Sequence, residues 1–334
     1  MTAATDLATF AAEVGTEGSV AVVGGRTAWD VGGEPGGDVR FVAAPVGVVE
    51  YEPAEMTVRV GAGTPVVGLH ELLAEAGQTT ALPPGPAGGG ATVGGVLAVG
   101  HSGLDQLRWG PVRDALLEAR YVSAEGRLVK AGGPTVKNVS GYDLCRVLVG
   151  SLGTLGLLGE VVLRTRPLPA CSRWFAGTAD PWAVRAALYR PAAVLWDGAT
   201  TWVWLQGHEV DVDAEAGVLA ALGLAPADGP PALPAHRHVL GAAALCSLTG
   251  RLDSGASATG PSAPPRPPSV GATPPTALFD RFVAEIGTGV VHADRPPARP
   301  VLPAAVVELN RRVKAELDPT GRLNPGRDPL RVVA

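Results

Sequence analysis

Glycine-rich segments carry the residue types in this sequence that are best suited to holding a phosphate-bearing ligand. The longest is segment 83–103, in which glycine recurs throughout and Thr92 and Ser102 add hydroxyl donors. Glycine backbone can approach a ligand closely, and a row of N–H groups can cradle a pyrophosphate. A long loop of this kind inside a compact domain is usually functional. The same composition also fits a tight packing corner without a ligand, so both interpretations stay open at this point.

Another glycine-rich segment, Gly61 to Gly68, does not fit the dinucleotide-binding motif G-x-G-x-x-G. The third glycine of the motif would fall at Val66, and no acidic residue follows about 20 positions later. The sequence therefore predicts an ordinary turn here, followed by a helix that has Thr64 as its N-cap and runs to Ala76. The sequence also lacks the phosphate-binding motif G-x-x-x-x-G-K-[ST].

Apolar patterning predicts the elements that must position these segments. The predicted strands are 19–23, 56–60, 115–123, 128–131 and 157–166. The predicted helices include 143–150, with Asp143 as its N-cap, and 303–317. Five of the seven tryptophans fall between Trp174 and Trp204, which marks a second, separately built region.

Composition excludes several functional classes. Lys and Arg number 27 against 32 Asp and Glu, so a nucleic-acid partner is not expected at a formal net charge of −5. No window approaches about 18 uninterrupted apolar residues, and the N-terminus lacks a basic region followed by an apolar run. Neither a transmembrane segment nor a signal peptide is therefore predicted. The three isolated cysteines form no iron–sulfur or zinc motif and fit a reducing, cytoplasmic location.

The order of several motifs resembles that of FAD-binding proteins of the vanillyl-alcohol oxidase (PCMH) type. The most specific motif is Lys137-Asn138-Val-Ser-Gly141-Tyr142-Asp143-Leu144, and within the family the chain looks like the E subunits of bacterial glycolate oxidases. The resemblance covers 1–167 well and 303–327 in part, and it is weak over 170–300. The other matching motifs are Gly24-Gly25-Arg26-Thr27, Thr92-Val93-Gly94-Gly95, Trp109-Gly-Pro-Val-Arg113-Asp114, Gly153-Thr-Leu-Gly156 and the tail Asp318-Pro319 to Asn324-Pro325-Gly326.

This resemblance implies an α+β fold of two domains. Residues 1–167 would form a PCMH-type FAD-binding domain of two α+β subdomains, with FAD lying between them. Residues 168–302 would form a smaller α+β cap domain on the substrate side, with a flexible loop rich in Pro, Ser and Ala at 254–275. Residues 303–334 would form a C-terminal helix and tail that return to the FAD domain.

The resemblance also implies which residues contact FAD. The first glycine loop would lie at the pyrophosphate, and segment 83–103 would wrap the rest of the dinucleotide. Relatives that hold FAD covalently often have a histidine in the first loop, whereas this loop reads Gly-Gly-Arg-Thr, so noncovalent FAD is expected. The expected FAD-binding residues are Gly24, Gly25, Arg26, Thr27, Pro83, Thr92, Gly94, Gly95, His101, Ser102, Gly103, Asp114, Asn138, Gly141, Tyr142, Asp143, Gly153, Gly156, Val161 and Asn324.

The histidines give no clear catalytic site. Competent 2-hydroxy-acid relatives commonly carry a His-rich metal or base site in the cap, where this chain has His208, His236, His238 and His292. The one close pair, His236 and His238, has no acidic ligand nearby in the sequence, so surface histidines are favoured and no metal is expected. His101 is either a flavin contact or a loop histidine without a chemical role. The catalytic residues are not identified.

The function implied by the resemblance is that of an FAD-binding subunit of a glycolate oxidase, a 2-hydroxy acid dehydrogenase. The subunit would oxidise glycolate to glyoxylate or relay electrons from a partner flavin subunit. The implied partners are a larger FAD-binding D-type subunit and an iron–sulfur F-type subunit, and any membrane association would be peripheral and through the complex.

Two alternative functions stay open. One is a self-sufficient FAD-dependent dehydrogenase of a small hydroxy acid, in which arginines of the cap hold the substrate carboxylate. The candidate arginines are Arg173, Arg185, Arg190 and Arg237. The other alternative is a structural subunit that has lost FAD.

Overall fold

The chain forms two compact units in the computed structural model, which describes residues 6–86, 89–133, 143–241, 244–245, 279–298 and 302–331. The first unit comprises Met1–Leu168 together with Arg299–Val333, and the second comprises Pro169–Ala298. Among the helices of these described ranges, none is long and apolar enough to cross a membrane.

Helices and strands are mixed in the first unit, as the α+β class predicts. Its strands are β1 (Val20–Val22), β2 (Arg40–Val42), β3 (Val48–Glu52), β4 (Thr57–Gly61), β5 (Gln78–Thr79), β6 (Leu116–Val122), β7 (Leu128–Gly132), β8 (Leu157–Arg164) and β9 (Arg166–Pro167). Its helices are α1 (Leu7–Val14), α2 (Val66–Glu75), α3 (Val93–Val99), α4 (Gln106–Trp109), α5 (Leu144–Leu148) and, near the C-terminus, α8 (Ala304–Leu317). The five predicted strands lie within two residues of their predicted bounds.

An antiparallel sheet of order β3-β4-β8-β6-β7 forms the centre of the first unit. Strand β8 is buried along nearly its whole length and pairs with both β4 and β6. Helix α1 lies against it at Gly159, where a Cβ atom would come within 2.4 Å of Leu7 and 3.1 Å of Phe10. The smaller pairs are β1 with β2, which is parallel, and β5 with β9.

Two predicted boundaries near the glycine-rich segments are wrong. Helix α2 has Pro65 rather than Thr64 as its N-cap, because the Thr64 hydroxyl instead accepts a hydrogen bond from the backbone N–H of Gly47 at 2.8 Å. Segment 83–103 is not a loop throughout, since it contains α3. Thr92 caps α3 by accepting a hydrogen bond from the N–H of Gly95 at 3.2 Å. A threonine N-cap overcomes the low helix propensity of the glycines that follow it.

The C-terminal tail after α8 is fastened to the first unit by an arginine and a lysine. The Arg322 guanidinium donates to the backbone carbonyls of Val14, Gly15, Glu17, Gly18 and Ala124. Lys314 of α8 donates to Asp318 at 2.5 Å and to the carbonyl of Thr154 at 2.7 Å. These bonds bring Leu323 beside Val20 of β1, so the tail continues the edge of the β1–β2 pair.

The second unit is built on a sheet of seven strands. Its elements are β10 (Cys171–Gly177), α6 (Pro181–Ala187), β11 (Ala193–Trp196), β12 (Thr201–Gly207), α7 (Glu209–Ala221), β13 (Ala225–Ala227), β14 (His236–Val239), β15 (Phe282–Glu285) and β16 (Val290–Ala293). The strand order in the sheet is β13-β10-β12-β11-β15-β16-β14. Trp174 of β10 and Trp204 of β12 are paired, and their rings stack at 5.2 Å. The loop predicted at 254–275 lies outside the described residues.

Candidate cofactor-binding site

Two adjoining cavities lie within the first unit. The first cavity is walled largely by apolar side chains, whereas the second has two arginines in its wall. The residues that line both cavities are Val22, Gly24, Thr92, Gly95, Ala98, Leu152 and Asn324.

Four separate parts of the chain meet at these cavities. They are the loop after β1, the turn into α3, the turn between α5 and β8, and the C-terminal tail. Each is anchored by an element of the first unit, so a ligand in the cavities would contact residues that lie up to about 300 positions apart in sequence. Arg322 and Lys314, which fasten the tail, therefore also help to hold this site together.

Glycines allow the loop after β1 to contact the segment that leads into α3. A Cβ atom on Gly25 would lie 1.4 Å from the carbonyl oxygen of Gly90, and one on Gly24 would lie 2.4 Å from the Thr92 hydroxyl oxygen. Both distances are far inside van der Waals contact. Contact with Thr92 and Gly90 therefore requires glycine at both positions, and both glycines line the second cavity.

Three residues with side chains adopt positive φ at the cavity walls. The φ angles are +56° for Arg26, +53° for Leu152 and +46° for Asn324. This left-handed conformation costs roughly 1–2 kcal/mol for an ordinary L-residue, and such backbone strain clusters at ligand sites. The strain supports the assignment of the cavities as a binding site.

One side-chain atom of Asn324 has no hydrogen-bonding partner among the described residues. Its side-chain Nδ2 donates to the carbonyl of Leu152, and its backbone N–H donates to the carbonyl of Val20 at 2.8 Å. The side-chain Oδ1 is buried and accepts no hydrogen bond from a described residue. Buried polar atoms are rarely unpaired. Because Asn324 lines both cavities, a ligand with a hydrogen-bond donor fits this place.

Two arginines of the second cavity's wall contact the same tryptophan. Arg26 and Arg327 both lie against the ring of Trp29, at 4.9 and 4.5 Å from its centroid. Burial lowers the pKa of Arg327, and the carboxylates of Glu34 and Asp30 partly offset this effect. Two guanidinium groups beside a glycine loop suit the negative charges of a pyrophosphate.

Of the predicted FAD-binding residues, half line the cavities and the rest do not. Those in the walls are Gly24, Gly25, Arg26, Thr27, Thr92, Gly94, Gly95, Gly153, Gly156 and Asn324. Those in described positions away from both walls are Pro83, His101, Ser102, Gly103, Asp114, Asp143 and Val161. Asn138, Gly141 and Tyr142 lie outside the described residues. The contact of each residue with FAD stays a prediction.

Several residues away from the walls have clear structural partners. The Ser102 hydroxyl accepts from the N–H of Val112 at 3.0 Å, and Asp114 pairs with Arg146 at 3.1 Å. Asp143 caps α5 by accepting from the N–H of Arg146 at 3.2 Å, as its N-cap prediction states. Val161 has no exposed surface and packs in the core.

Sequence reasoning missed a part of the walls. Ala62 and Gly63, interpreted above as an ordinary turn, line the first cavity, and Arg327 lines the second. Gly63 was a usable sequence signal, because glycine often marks a place where backbone segments approach closely. In the structure, a Cβ atom at this position would lie 2.4 Å from the carbonyl oxygen of Ala44. The position of Arg327 directly after Asn-Pro-Gly was another such signal. The apolar residues of the walls, such as Leu152, have no sequence signal that separates them from the core.

Two of the candidate histidines, His238 and His292, have hydrogen-bonding partners in the second unit. His238 Nε2 lies 2.8 Å from the carbonyl oxygen of Arg295, and its ring meets Phe279 edge-on at 4.8 Å. His292 is bonded to Glu285. Within the part of the chain that the structure describes, no three His, Cys, Asp or Glu residues are placed to share a metal ion.

The two cavities bring together a glycine loop, two arginines and an unpaired acceptor, groups that suit a phosphate-bearing cofactor. Comparison with known proteins identifies that cofactor. Residues 4–132 match the family model described as an FAD binding domain. The chain therefore contains a PCMH-type FAD-binding domain, and its cofactor is FAD.

Curated relatives share this region. The chain is 40% identical over 126 residues to the glycolate oxidase subunit GlcE of Escherichia coli (strain K12), which is 38% of this chain and 36% of that protein. It is 38% identical over 115 residues to a mitochondrial D-lactate dehydrogenase [cytochrome] of Arabidopsis thaliana, covering 34% of this chain and 20% of that protein. It is 33% identical over 123 residues to the glycolate oxidase subunit GlcD of Bacillus subtilis (strain 168), covering 36% and 26%. These matches thus span about a third or less of each relative's length.

Similarity of structure extends further along the chain. An alkyldihydroxyacetonephosphate synthase superposes with a TM-score of 0.62 at 15% sequence identity, over 92% of this chain and 71% of that one. At this identity the comparison establishes the fold.

Proposed function

We propose that the chain is an FAD-binding, E-type subunit of a glycolate oxidase, an oxidoreductase that acts on the CH–OH group of 2-hydroxy acids. The observation that carries this proposal is the 40% identity to the GlcE subunit over 126 residues. The two cavities support it, because their walls supply a glycine loop, two arginines and an unpaired acceptor for FAD.

The chain's own residues would hold and shield the cofactor. The Gly24–Thr27 loop, Arg26 and Arg327 suit the pyrophosphate, and the apolar walls of the first cavity suit a flat aromatic ring system. Asn324 Oδ1 would accept a hydrogen bond from the cofactor. When bound, FAD supplies the capacity to take a hydride from a hydroxyl-bearing carbon and to release electrons singly. Apolar walls exclude water from the place where that chemistry needs to occur.

The cofactor is proposed to be noncovalent. Among the described residues that line the cavities there is no histidine, cysteine or tyrosine to form a bond with the flavin. The chain is therefore expected to keep FAD by hydrogen bonds, charge and packing alone.

Electron transfer would require partners. The sequence has three cysteines and no Cys-x-x-Cys motif, so the chain encodes no familiar iron–sulfur site. We propose that it works with a larger FAD-binding D-type subunit and an iron–sulfur F-type subunit. Similarity to subunits called GlcE and GlcD supports this arrangement. A cytoplasmic location, with membrane contact only through the complex, belongs to the same proposal.

The main alternative is a self-sufficient dehydrogenase with a carboxylate-binding arginine in the second unit. Arg173 is paired with Asp213 at 2.6 Å, and Arg185 donates to the carbonyl of Leu188, so both are occupied. Arg237 has no such bond to a described residue, and it keeps this alternative open.

Spectroscopy separates the two functions and tests for loss of FAD. The full chain is purified alone and together with co-expressed partners, reconstituted with FAD, and mixed anaerobically with glycolate. The proposal expects flavin absorbance in both samples and bleaching by glycolate only in the complex. Bleaching in the lone chain would favour the self-sufficient dehydrogenase. Absence of flavin bands after reconstitution would contradict both and leave the structural subunit.

A further inference from the structure

Trp29 lies in the wall of the second cavity, in the segment between β1 and β2. The guanidinium carbons of Arg26 and Arg327 are 4.9 and 4.5 Å from the centroid of its ring. A cation within about 6 Å of such a centroid is attracted by the ring, and tryptophan attracts cations more strongly than tyrosine or phenylalanine does. One ring therefore contacts both of the arginines that line this cavity.

The ring of Trp29 is itself held by residues that do not line the cavity. Its Nε1 donates a hydrogen bond to Glu34 Oε2 at 2.7 Å, and its centroid lies 6.0 Å from that of the Phe41 ring. Glu34 and Phe41 are both absent from the cavity wall. Because a tryptophan side chain has only two rotatable bonds and one donor, these two contacts restrict the orientation of the ring.

Arg26 benefits from this contact because its side chain is long and exposed. An arginine side chain loses much rotamer freedom when it is immobilised, and a ligand that has to immobilise it binds more weakly. Attraction to the Trp29 ring restricts the Arg26 guanidinium before a ligand is present. Less entropy is then lost when the guanidinium meets an anion.

Arg327 reaches the same ring from the C-terminal tail. Its Nη1 donates to the backbone carbonyl of Trp29 and, at 2.9 Å, to that of Val31. Its Nε is buried and has no hydrogen-bonding partner among the described residues. Since buried polar atoms are rarely unpaired, a ligand that offers an acceptor, such as a phosphate oxygen, fits this donor.

We propose that Trp29 is a positioning residue for FAD. Its ring holds the guanidinium groups of Arg26 and Arg327 where they meet the pyrophosphate, and Glu34 holds the ring. Trp29 acts through the two arginines and not through a contact of its own with the cofactor. This role rests on the pyrophosphate lying in the second cavity, which is part of the proposed function.

A double-mutant cycle on FAD affinity tests this role. The affinity of the purified full chain is measured by quenching of flavin fluorescence, and folding is checked by circular dichroism. Trp29→Leu should weaken FAD binding by about tenfold, because two cation–π contacts are lost. A chain that carries Arg26→Met and Arg327→Met should bind FAD more weakly than wild type, and adding Trp29→Leu to it should cost less than about twofold more.

Two further variants separate the ring from general packing. Trp29→Phe keeps an aromatic ring but loses the Nε1 donor, so it should weaken FAD binding by only about threefold. Trp109→Leu is the matched control, because Arg108 and Arg166 both lie 5.0 Å from the centroid of Trp109, which lines neither cavity. This control should bind FAD as the wild type does.

The proposal is overturned if folded Trp29→Leu binds FAD as tightly as wild type, or if Trp109→Leu shows an equal loss. It also fails if the tenfold loss persists without the two arginines, since Trp29 would then contact the cofactor directly or only support its loop. Wild-type affinity that does not fall with added salt would overturn the contact of the arginines with the pyrophosphate. Substrate takes no part in these measurements, so flavin that glycolate fails to reduce in the complex would contradict the proposed oxidase function and leave the role of Trp29 standing.

Discussion

At the scale of single residues, the cavity walls combine glycines that cannot be replaced with side chains in conformations that favour glycine. Gly25 has no space for a Cβ atom beside Gly90, while Arg26, directly after it, has a positive φ. The conformation of this loop is therefore set by its contacts with other segments rather than by the backbone preferences of its own residues. Its backbone N–H groups are therefore held in place before a cofactor arrives, which lowers the entropy that binding costs.

Substitution of Gly25 tests this arrangement. Gly25→Ala should weaken FAD binding by about tenfold or more, because a Cβ 1.4 Å from the Gly90 carbonyl oxygen forces the two loops apart. FAD affinity is measured by quenching of flavin fluorescence, and folding by thermal denaturation. Gly68→Ala is the control, since nothing lies within 4 Å of a Cβ there. Equal affinity of Gly25→Ala and wild type would show that the first loop does not contact the cofactor.

Asn324 allows a second test at this scale. Asn324→Asp keeps an acceptor and tolerates positive φ, but it loses the Nδ2 donation to Leu152 and places a carboxylate against that carbonyl. We expect FAD affinity to fall by about tenfold, the cost of one lost hydrogen bond and an uncompensated charge. Asn310→Asp is the matched control, because it loses a comparable amide bond to Val306 on exposed α8. An equal effect of both variants would remove Asn324 from the site.

At the scale of elements, Arg322 is one of the two side chains that fasten the tail after α8. Arg322 is buried, and its guanidinium satisfies carbonyls from the end of α1, the turn after it and the hairpin between β6 and β7. Arg322→Met should lower the free energy of unfolding by about 3 kcal/mol, because several buried carbonyls lose their donor. It should also weaken FAD binding, since the tail presents Asn324.

The control for this substitution is Arg311→Met on α8, where the exposed pair with Glu308 should contribute less than about 1 kcal/mol. Denaturant unfolding of FAD-free protein gives the stability, and fluorescence quenching gives the affinity. A destabilised Arg322→Met that binds FAD normally would separate the fastening of the tail from the cofactor site.

An ion-pair network in the five-stranded sheet predicts a pH dependence. Burial raises the pKa of Glu118, but hydrogen bonds from Arg59 and Lys130 outweigh it and hold the pKa below its ordinary value of 4.5. A carboxyl with a lowered folded pKa contributes stability that is fully present above the unfolded pKa and is lost as pH falls through the folded pKa. Glu118→Gln should therefore be less stable than wild type at neutral pH, and the difference should shrink as pH falls below 4.5 and through the folded pKa of Glu118.

Denaturant unfolding across this pH range provides the measurement. Glu50→Gln is the control, because the Glu50 side chain is 57% exposed and its ion pair with Arg59, at 3.3 Å, is close to solvent. Its stability should differ little from wild type at any pH. A Glu118→Gln difference that persists in acid would mean that packing, rather than charge, makes Glu118 important.

Local patterning predicted the elements far better than it predicted the site. Apolar runs fixed the strands closely, because burial of β8 and its neighbours leaves a strong signal. Thr64 was misassigned because its hydroxyl bonds to Gly47, and helix α3 was missed because its Thr92 cap lies within a glycine-rich segment. The cavity walls are formed by residues that are remote in sequence. Nothing in the sequence around Leu152 therefore separates it from a core leucine, and Asn324 was predicted only from the resemblance of its motif.

At the scale of the whole molecule, similarity is distributed unevenly. The FAD family model ends at residue 132, while the structural likeness covers 92% of the chain at 15% identity. The second unit therefore has a known fold, and any function of this unit has to be argued from its own residues.

The mode of FAD attachment is a property of the whole chain and provides the last prediction. Since the described cavity walls contain no histidine, cysteine or tyrosine, acid precipitation of the reconstituted protein should release all of its flavin into the supernatant. Absorbance of supernatant and pellet gives the result, and mass spectrometry of the denatured chain should give the mass of the polypeptide alone. Arg327→Met should speed the dissociation of FAD, because one of the two cations of the second cavity is removed, and added salt should weaken wild-type binding for the same reason. Flavin retained in the pellet would require a covalent bond from a residue outside the described cavity walls.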